Sequence, residues 1–273
     1  MNQIEQMRKE GLELEIAGKI GKALELYHKC LELAPDRTDI HLSVGRLYYL
    51  LGDTKQSIEQ YEAVVARQPH DVVVLYHLGI AYFRATRFGK AIEVFKRIVN
   101  MEHDILMAHY WLGLSYYHIG QLHNSIEALK TLHEVGNGAT LGYYYLAIVY
   151  KAAGMYTEAV EHLEKILTED PKLVSVQYHL GLAYMGKKDI VKALGSFKTV
   201  LELDNEHQGA REMVKRLVGD QDMLYSFGIE LEPGEGAEDP DAITANYYIG
   251  KAYSAFSEID EAFKYFKKQI LKK

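Results

Sequence analysis

Residues 78–87 read LGIAYFRATR, and residues 112–121 read LGLSYYHIGQ. Three further copies continue the same register, namely VGRLYYLLGD at 44–53, LAIVYKAAGM at 146–155 and LGLAYMGKKD at 180–189. The five copies thus begin at evenly spaced positions along the chain. A fixed period of this kind is typical of proteins built from stacked structural repeats.

Small and bulky residues alternate in columns through these copies. The first column is small and comprises Gly11, Gly45, Gly79, Gly113, Ala147, Gly181 and Gly250. A tyrosine column follows three residues later, at Tyr48, Tyr82, Tyr116, Tyr150, Tyr184 and Tyr253. The third column is small again, at Ala23, Ser57, Ala91, Ser125, Ala159, Ala193 and Ala262. The fourth is bulky, at Tyr27, Tyr61, Phe95, Leu129, Leu163, Phe197 and Phe266.

The spacing of apolar residues within each copy predicts two amphipathic helices, because these residues recur at steps of three and four. Small residues allow the two helices to approach closely, so we expect the two small columns to face each other. We expect the bulky residues, such as Phe95, to lie over the next unit, because one helix pair cannot bury its own apolar faces. Prolines 35, 69 and 171 are predicted to follow the ends of second helices.

This arrangement resembles the tetratricopeptide repeat family, whose unit of about 34 residues shows the same order of small, aromatic, small, bulky and proline positions. The resemblance implies an all-α fold, a right-handed α-solenoid of stacked helix-turn-helix repeats. It covers six contiguous copies, at 4–37, 38–71, 72–105, 106–139, 140–173 and 174–207. Residues 243–273 read as a final repeat with the C-terminal helix.

Residues 208–242 depart from the repeat pattern. The spacing of Ala210, Met213, Val214 and Leu217 predicts a short amphipathic helix. Residues 225–231 then alternate in a strand-like manner, and an acidic Gly/Pro loop, PGEGAEDPD, follows at 233–241. Two interpretations stay open. Either this part only connects copies six and seven, or residues 225–232 lie extended in a groove of this molecule or a neighbour and regulate access.

Composition limits the classes of function. The 273 residues are 48% apolar and 25% charged, as in a globular chain. The net charge of -7 disfavours nucleic acid and anionic lipid as partners. The lone cysteine, Cys30, excludes an intrachain disulfide and fits a reducing compartment. No apolar run approaches the length of about 18 residues that a membrane span needs, and the amino terminus does not read as an export signal. We therefore expect a cytoplasmic protein without membrane insertion.

The family resemblance places the residue three before each column glycine or alanine on the concave side of the array. A second set lies four residues after that column, on the same helix face. The predicted peptide-binding surface comprises Arg46, Tyr49, Tyr76, Phe83, Tyr110, Tyr117, Tyr144, Lys151 and Tyr178. Tyrosine suits peptide recognition because it combines a large apolar area with a hydroxyl. The alternative is that these tyrosines are ordinary consensus residues of the repeat. Arg8 and Arg46 are expected to make the amino-terminal part of this surface positive.

No motif for catalysis, metal or cofactor binding is present. The histidines form no H-E-x-x-H pair, the GEGAED stretch lacks the lysine of a phosphate loop, and Cys30 is expected to be a buried thiol. The clamp that grips chaperone tails in some family members is also missing, because Leu12, Ser43 and Val73 replace its polar residues. The resulting hypothesis is a non-catalytic scaffold that binds a partner peptide or helix in a concave aromatic groove. One alternative is a self-assembling scaffold that associates through its end repeats or residues 221–232. An RNA-binding solenoid is a third, which would need a basic groove.

Overall fold

A computed structural model describes residues 3–101, 105–135 and 140–218 of the chain. Thirteen α-helices and no strand occur in these ranges. The chain divides into two compact units, Met1–Ser196 and Phe197–Lys273. The all-α solenoid of repeats that the sequence predicts is therefore confirmed, and the predicted last repeat at 243–273 lies outside the described residues.

The first twelve helices alternate along the chain as first and second helices of the repeats, and the boundary between the two units falls within the twelfth. The first helices of the pairs are α1 (Gln3–Ile16), α3 (Thr38–Leu51), α5 (Val72–Arg84), α7 (Leu106–His118), α9 (Thr140–Ala152) and α11 (Val174–Gly186). The second helices are α2 (Ile20–Leu33), α4 (Thr54–Arg67), α6 (Phe88–Val99), α8 (Leu122–Val135), α10 (Tyr156–Glu169) and α12 (Ile190–Leu203). The starts of the second helices are evenly spaced throughout and keep the period of the sequence repeat. From α1 to α11, each helix packs against the next helix in the chain.

The helix ends follow from local chemistry. Helices α2, α4 and α10 end at capping residues Ala34, Gln68 and Asp170, each directly before a proline, as the sequence predicts. The carboxylate of Asp71 accepts hydrogen bonds from the backbone N–H groups of Val73 and Val74 at the start of α5. The turn between the two helices of a pair contains one residue in the left-handed backbone conformation. Glycine fills this place at 18, 52, 120 and 154, whereas Thr86 (φ 56) and Lys188 (φ 62) fill it in the other two pairs.

The bulky column packs inside its own repeat, a contact that the expectation from the sequence did not include. A Cβ atom added to Gly79 would meet the Phe95 ring at 2.6 Å, and one added to Gly113 would meet Leu129 at 2.6 Å. The bulky side chain of a second helix thus rests directly on the glycine backbone of the first helix in the same pair. Phe95 also reaches the following repeat, with its ring centroid 6.5 Å from that of Trp111.

The small columns face each other within a repeat, as expected. The hydroxyl of Ser125 on α8 donates a hydrogen bond of 2.7 Å to the carbonyl of Gly113 on α7. Both residues belong to small columns, and Gly113 also receives the bulky side chain of Leu129 from the same second helix.

Two members of the tyrosine column join their repeat to the one before it. The hydroxyl of Tyr82 donates to a carboxylate oxygen of Glu62, and that of Tyr184 donates to Glu164. In both pairs the carboxylate belongs to the second helix of the preceding repeat, so a first helix is tied to the helix before it. Desolvation and the bonded carboxylate both raise the pKa of these tyrosines.

In the second unit, α13 (Gln208–Val218) occupies the place where the sequence predicts a short amphipathic helix. Its apolar residues Ala210, Met213 and Val214 are buried. The strand-like residues 225–231, the acidic loop and residues 221–232 lie outside the described residues. Among the helices of the described ranges, none combines the length and apolar character needed to cross a bilayer.

Candidate peptide-binding face

The four tyrosines predicted as contact residues are buried. Between 1% and 9% of the surface is exposed in each, and they lie on α5, α7, α9 and α11 at Tyr76, Tyr110, Tyr144 and Tyr178. Side chains with so little exposed surface offer a partner only a small contact area, so they form the layer beneath the surface rather than the surface itself.

Three of these tyrosines are covered by an aromatic residue of the following repeat. The indole nitrogen of Trp111 donates a hydrogen bond of 3.0 Å to the hydroxyl of Tyr76. The ring of Tyr145 packs edge-on against Tyr110, with 5.0 Å between the ring centroids. His179 packs edge-on against Tyr144 at 5.9 Å. The tyrosines are therefore fixed by contacts between repeats.

The covering residues form a second aromatic column that our sequence-based prediction did not include. Each directly follows one of the predicted contact tyrosines, and His77 follows Tyr76 in the same way. The chain therefore reads Tyr-His at 76–77, Tyr-Trp at 110–111, Tyr-Tyr at 144–145 and Tyr-His at 178–179. The signal was an aromatic pair that recurs in four successive repeats. We call these eight residues the aromatic ladder.

Burial keeps the ladder hydroxyls protonated. Desolvation raises the pKa of Tyr76, although the hydrogen bond from Trp111 opposes this rise. Desolvation also raises the pKa of Tyr110 well above its ordinary value, with Tyr145 adding to the rise. Neutral tyrosines in these places supply packing and hydrogen bonds rather than acid-base chemistry.

Four other predicted contact residues lie seven residues further along the first helices and are half-buried. They are Tyr49, Phe83, Tyr117 and Lys151, and we call them the rim. The guanidinium of Arg84 lies 4.2 Å from the centre of the Tyr49 ring. Phe83 packs edge-on against Trp111 at 5.0 Å, and the Lys151 ammonium is 3.1 Å from Nδ1 of His179. Each of these three rim residues thus contacts the next repeat.

Apolar side chains accompany the rim at the other end of the first helices. Val73 and Leu141 are exposed over 38% and 40% of their surface, and Met107 occupies the same repeat position between them. In α5, Val73 lies three residues before Tyr76, and the rim residue Phe83 lies seven residues after it. These spacings place all three positions on one face of each first helix.

The predicted positive charge at the amino-terminal part is neutralised by ion pairs. Arg46 pairs with Glu15, whose side chain is 10% exposed. Arg8 lies 3.0 Å from Glu5 and 3.8 Å from Asp39. The sequence could not indicate the pairs that Arg46 and Asp39 form, because in each pair the two partners belong to different repeats.

Reactive groups are scarce in the part of the chain that the structure describes. Cys30 is fully buried, and desolvation raises the pKa of its thiol. In the same ranges, no three side chains of the metal-ligating types come together. The features that the described face offers are aromatic contact area and a few cations.

Comparisons with known proteins agree with this architecture. Models of the family described as tetratricopeptide repeat match residues 8–72, 45–105 and 76–134, and also residues 140–173. No curated protein matches the chain.

Solved structures of similar proteins extend the comparison. A structure of MamA protein shares 27% identity, covers 72% of this chain and 98% of that protein, and has a TM-score of 0.57. YrrB, described as a TPR protein with an unusual peptide-binding site, shares 17% identity over 69% of this chain and 97% of its own, with a TM-score of 0.60. A tetratricopeptide repeat protein from Parabacteroides merdae shares 13% identity over 83% of this chain and 98% of its own, with a TM-score of 0.65. The last two likenesses are of fold alone. From the family models and the repeat packing together, the chain belongs to the tetratricopeptide repeat family of protein–protein interaction scaffolds.

Proposed function

We propose that the chain binds a peptide or helix of a partner protein along its first helices, without catalysing a reaction. The segment would lie across the rim residues Tyr49, Phe83, Tyr117 and Lys151, with the ladder tyrosines beneath it. The observation that supports this most is that half-buried rim side chains recur at one position of successive first helices, and that the same helices carry a layer of buried tyrosines.

A fixed layer beneath the rim favours binding for a physical reason. Association is weakened when side chains must become ordered at the interface, by about 0.5–1.5 kcal/mol for each flexible side chain. The Phe83 ring is already held against Trp111, and Lys151 is already held beside His179. Aromatic residues of this kind dominate the binding energy of many protein interfaces.

Arg46 and Lys151 have different roles in this proposal. Arg46 is committed to Glu15, so it serves the packing of the first two repeats. Lys151 lies at the carboxyl-terminal end of the proposed path, where it would attract a carboxylate or a carbonyl of the bound segment. The proposal includes a cytoplasmic location, which the single cysteine supports.

Site-specific photo-cross-linking tests the proposal. Benzoylphenylalanine would replace Phe83 or Tyr117 in the full chain, and Lys96, an exposed residue on α6, would carry it in the control. After selection from a displayed library of random peptides, we expect the same bound peptides to cross-link at 83 and 117. Cross-links at 96 instead, or none at 83 and 117, would overturn the proposal.

A further inference from the structure

An exposed aromatic cluster lies where α5 turns into α6 and where α7 ends. The rings of Phe88 and His118 stack with 4.6 Å between centroids and 6° between planes. Phe83 packs edge-on against both, at 5.3 Å from Phe88 and 5.4 Å from His118. Phe83 and Phe88 are half-buried and His118 is exposed, so this packing leaves aromatic surface open to solvent.

Three basic side chains, Arg84, Arg87 and Lys90, belong to one of the two segments that form this cluster. Residues 82–92 read YFRATRFGKAI and residues 116–126 read YYHIGQLHNSI, so neither stretch contains a carboxylate. Arg87 and Lys90 are exposed.

Two carboxylates lie close to these cations, because Glu62 accepts a hydrogen bond from Tyr82 and Glu93 follows on α6. The cluster therefore carries a small excess of positive charge on a chain whose net charge is -7. Acidic residues occur at the turns at both ends of the helices, with Asp36, Asp71, Glu169 and Asp170 at the opposite ends and Asp53 and Asp189 at the same end as the cluster.

Arg84 is held in place beside the cluster. Its guanidinium lies 4.2 Å from the centre of the Tyr49 ring, and its Nη1 donates a hydrogen bond of 3.0 Å to the Tyr49 carbonyl. An arginine anchored in this way keeps its charge at a fixed position, which reduces the ordering that binding requires.

We infer that Phe83, Arg84, Arg87, Phe88, Lys90 and His118 form a docking surface for an acidic segment of a protein partner that carries an aromatic or large apolar side chain. This inference rests on the proposed function and names the chemistry of its partner. The apolar side chain would pack on Phe83 and Phe88, while its carboxylates face Arg84, Arg87 and Lys90. Complementary charge of this kind mainly speeds association and selects the partner.

Charge and shape favour a polypeptide over a nucleic acid as the occupant. A nucleic acid would be repelled by the net negative charge of the chain and by the acidic residues at the opposite turns. Sequence-independent binding of nucleic acid depends on neutralising many phosphates at once. A short acidic segment needs only the few cations that this surface holds.

Library selection on the full chain and a charge-reversed variant tests the inference. The variant is Arg87→Glu with Lys90→Glu, and the control is Lys29→Glu with Lys96→Glu, which changes the net charge equally at exposed sites on α2 and α6. We expect the unmodified chain to enrich peptides that contain both acidic and aromatic residues. Their affinity should fall by about tenfold or more in the variant and stay within about twofold in the control. Replacing Phe88 by alanine should weaken the same peptides.

Three results would overturn the inference. The enriched peptides could be neutral or basic while still cross-linking at 83 and 117, in which case the proposed function holds and the acidic partner does not. Acidic peptides could bind the variant as well as they bind the unmodified chain. A fluorescent single-stranded RNA could bind tightly and lose affinity in the variant while no peptide is enriched, which would assign the surface to nucleic acid. Peptides that never cross-link at 83 or 117 would instead remove the proposed function itself.

Discussion

The hydroxyl of Tyr76 accepts a hydrogen bond from the indole nitrogen of Trp111, a residue of the next repeat 35 positions later. The same spacing joins Tyr110 to Tyr145 and Tyr144 to His179. A repeat therefore completes the environment of the tyrosine before it, and the inner layer belongs to neighbouring repeats jointly. Nearest-neighbour burial of this kind is what stabilises linear repeat arrays.

The Tyr76 hydroxyl can be removed with little change in shape. We expect Tyr76→Phe to lower the free energy of unfolding by about 1–2 kcal/mol, because the buried indole N–H loses this acceptor. Fluorescence of Trp111, the single tryptophan, reports the transition in urea. The same substitution at half-buried Tyr116 is the control and should change stability by less than about 0.5 kcal/mol. Equal stability of Tyr76→Phe and the unmodified chain would show that the hydrogen bond contributes nothing.

Two buried serines at the same repeat position should respond differently to alanine. Ser125 donates to the Gly113 carbonyl, whereas the hydroxyl of Ser57 is buried without a hydrogen-bond partner in the described structure. We expect Ser125→Ala to lower the free energy of unfolding by about 1 kcal/mol and Ser57→Ala to leave it unchanged or raise it. Urea unfolding followed by circular dichroism measures both. A larger loss at Ser57 than at Ser125 would contradict the assignment.

The left-handed turn residues offer a stabilising substitution. Thr86 is β-branched and has φ 56, a conformation that strains any residue with a Cβ atom. Glycine removes this strain but loses more entropy on folding, so we expect Thr86→Gly to raise the free energy of unfolding by about 0.5–1 kcal/mol.

The reverse substitution, from glycine to a residue with a Cβ atom, is the matched control and is made at the equivalent turn of the second repeat. Gly52 has φ 82, and a Cβ atom added there would contact nothing within 4 Å. Gly52→Ala therefore tests the backbone alone and should lower the free energy of unfolding by about 1 kcal/mol. If Thr86→Gly lowered the thermal midpoint as much as Gly52→Ala, backbone strain would not explain the stability of these turns.

Stability should fall in alkaline solution. Desolvation and the charge of Glu15 raise the pKa of Tyr27 to about 12, from an ordinary value of 10.0. Because the folded chain holds this proton more tightly than the unfolded chain, the stabilisation is complete below pH 10.0 and is lost as the pH rises towards 12. Urea midpoints measured across this interval should decline less steeply for Tyr27→Phe than for the unmodified chain. An identical decline would assign the effect to other tyrosines.

Most of the fold was predictable because its signals are local and repeated. The glycine at 79, the small residue at 91 and the proline at 69 each mark a fixed place in the repeating unit. The position of the bulky column was not predictable in the same way. The separation of Phe95 and Gly79 along the chain does not show that they are in contact, because the contact depends on the angle between the two helices.

The candidate site was harder to predict because exposure depends on the neighbouring repeat. Tyr110 and Tyr117 belong to the same helix and both read as inner-face aromatics, yet only Tyr117 stays half-exposed. The difference comes from Tyr145, which covers Tyr110 from α9. Alanine at Tyr110 would therefore change stability along with binding, and the rim residues Phe83 and Tyr117 separate the two effects better.

Tyr76, Tyr110 and Tyr144 are each covered by a residue 35 positions later, which gives synthesis of the chain a direction. A ribosome releases the amino end first, so Tyr76 leaves the exit tunnel before Trp111 exists to shield it. At about 5–20 residues per second, this interval lasts about 2–7 seconds for each of these three tyrosines in turn. Loss of a repeat from the carboxyl side uncovers the tyrosine before it, whereas loss from the amino side removes a tyrosine together with its own helix.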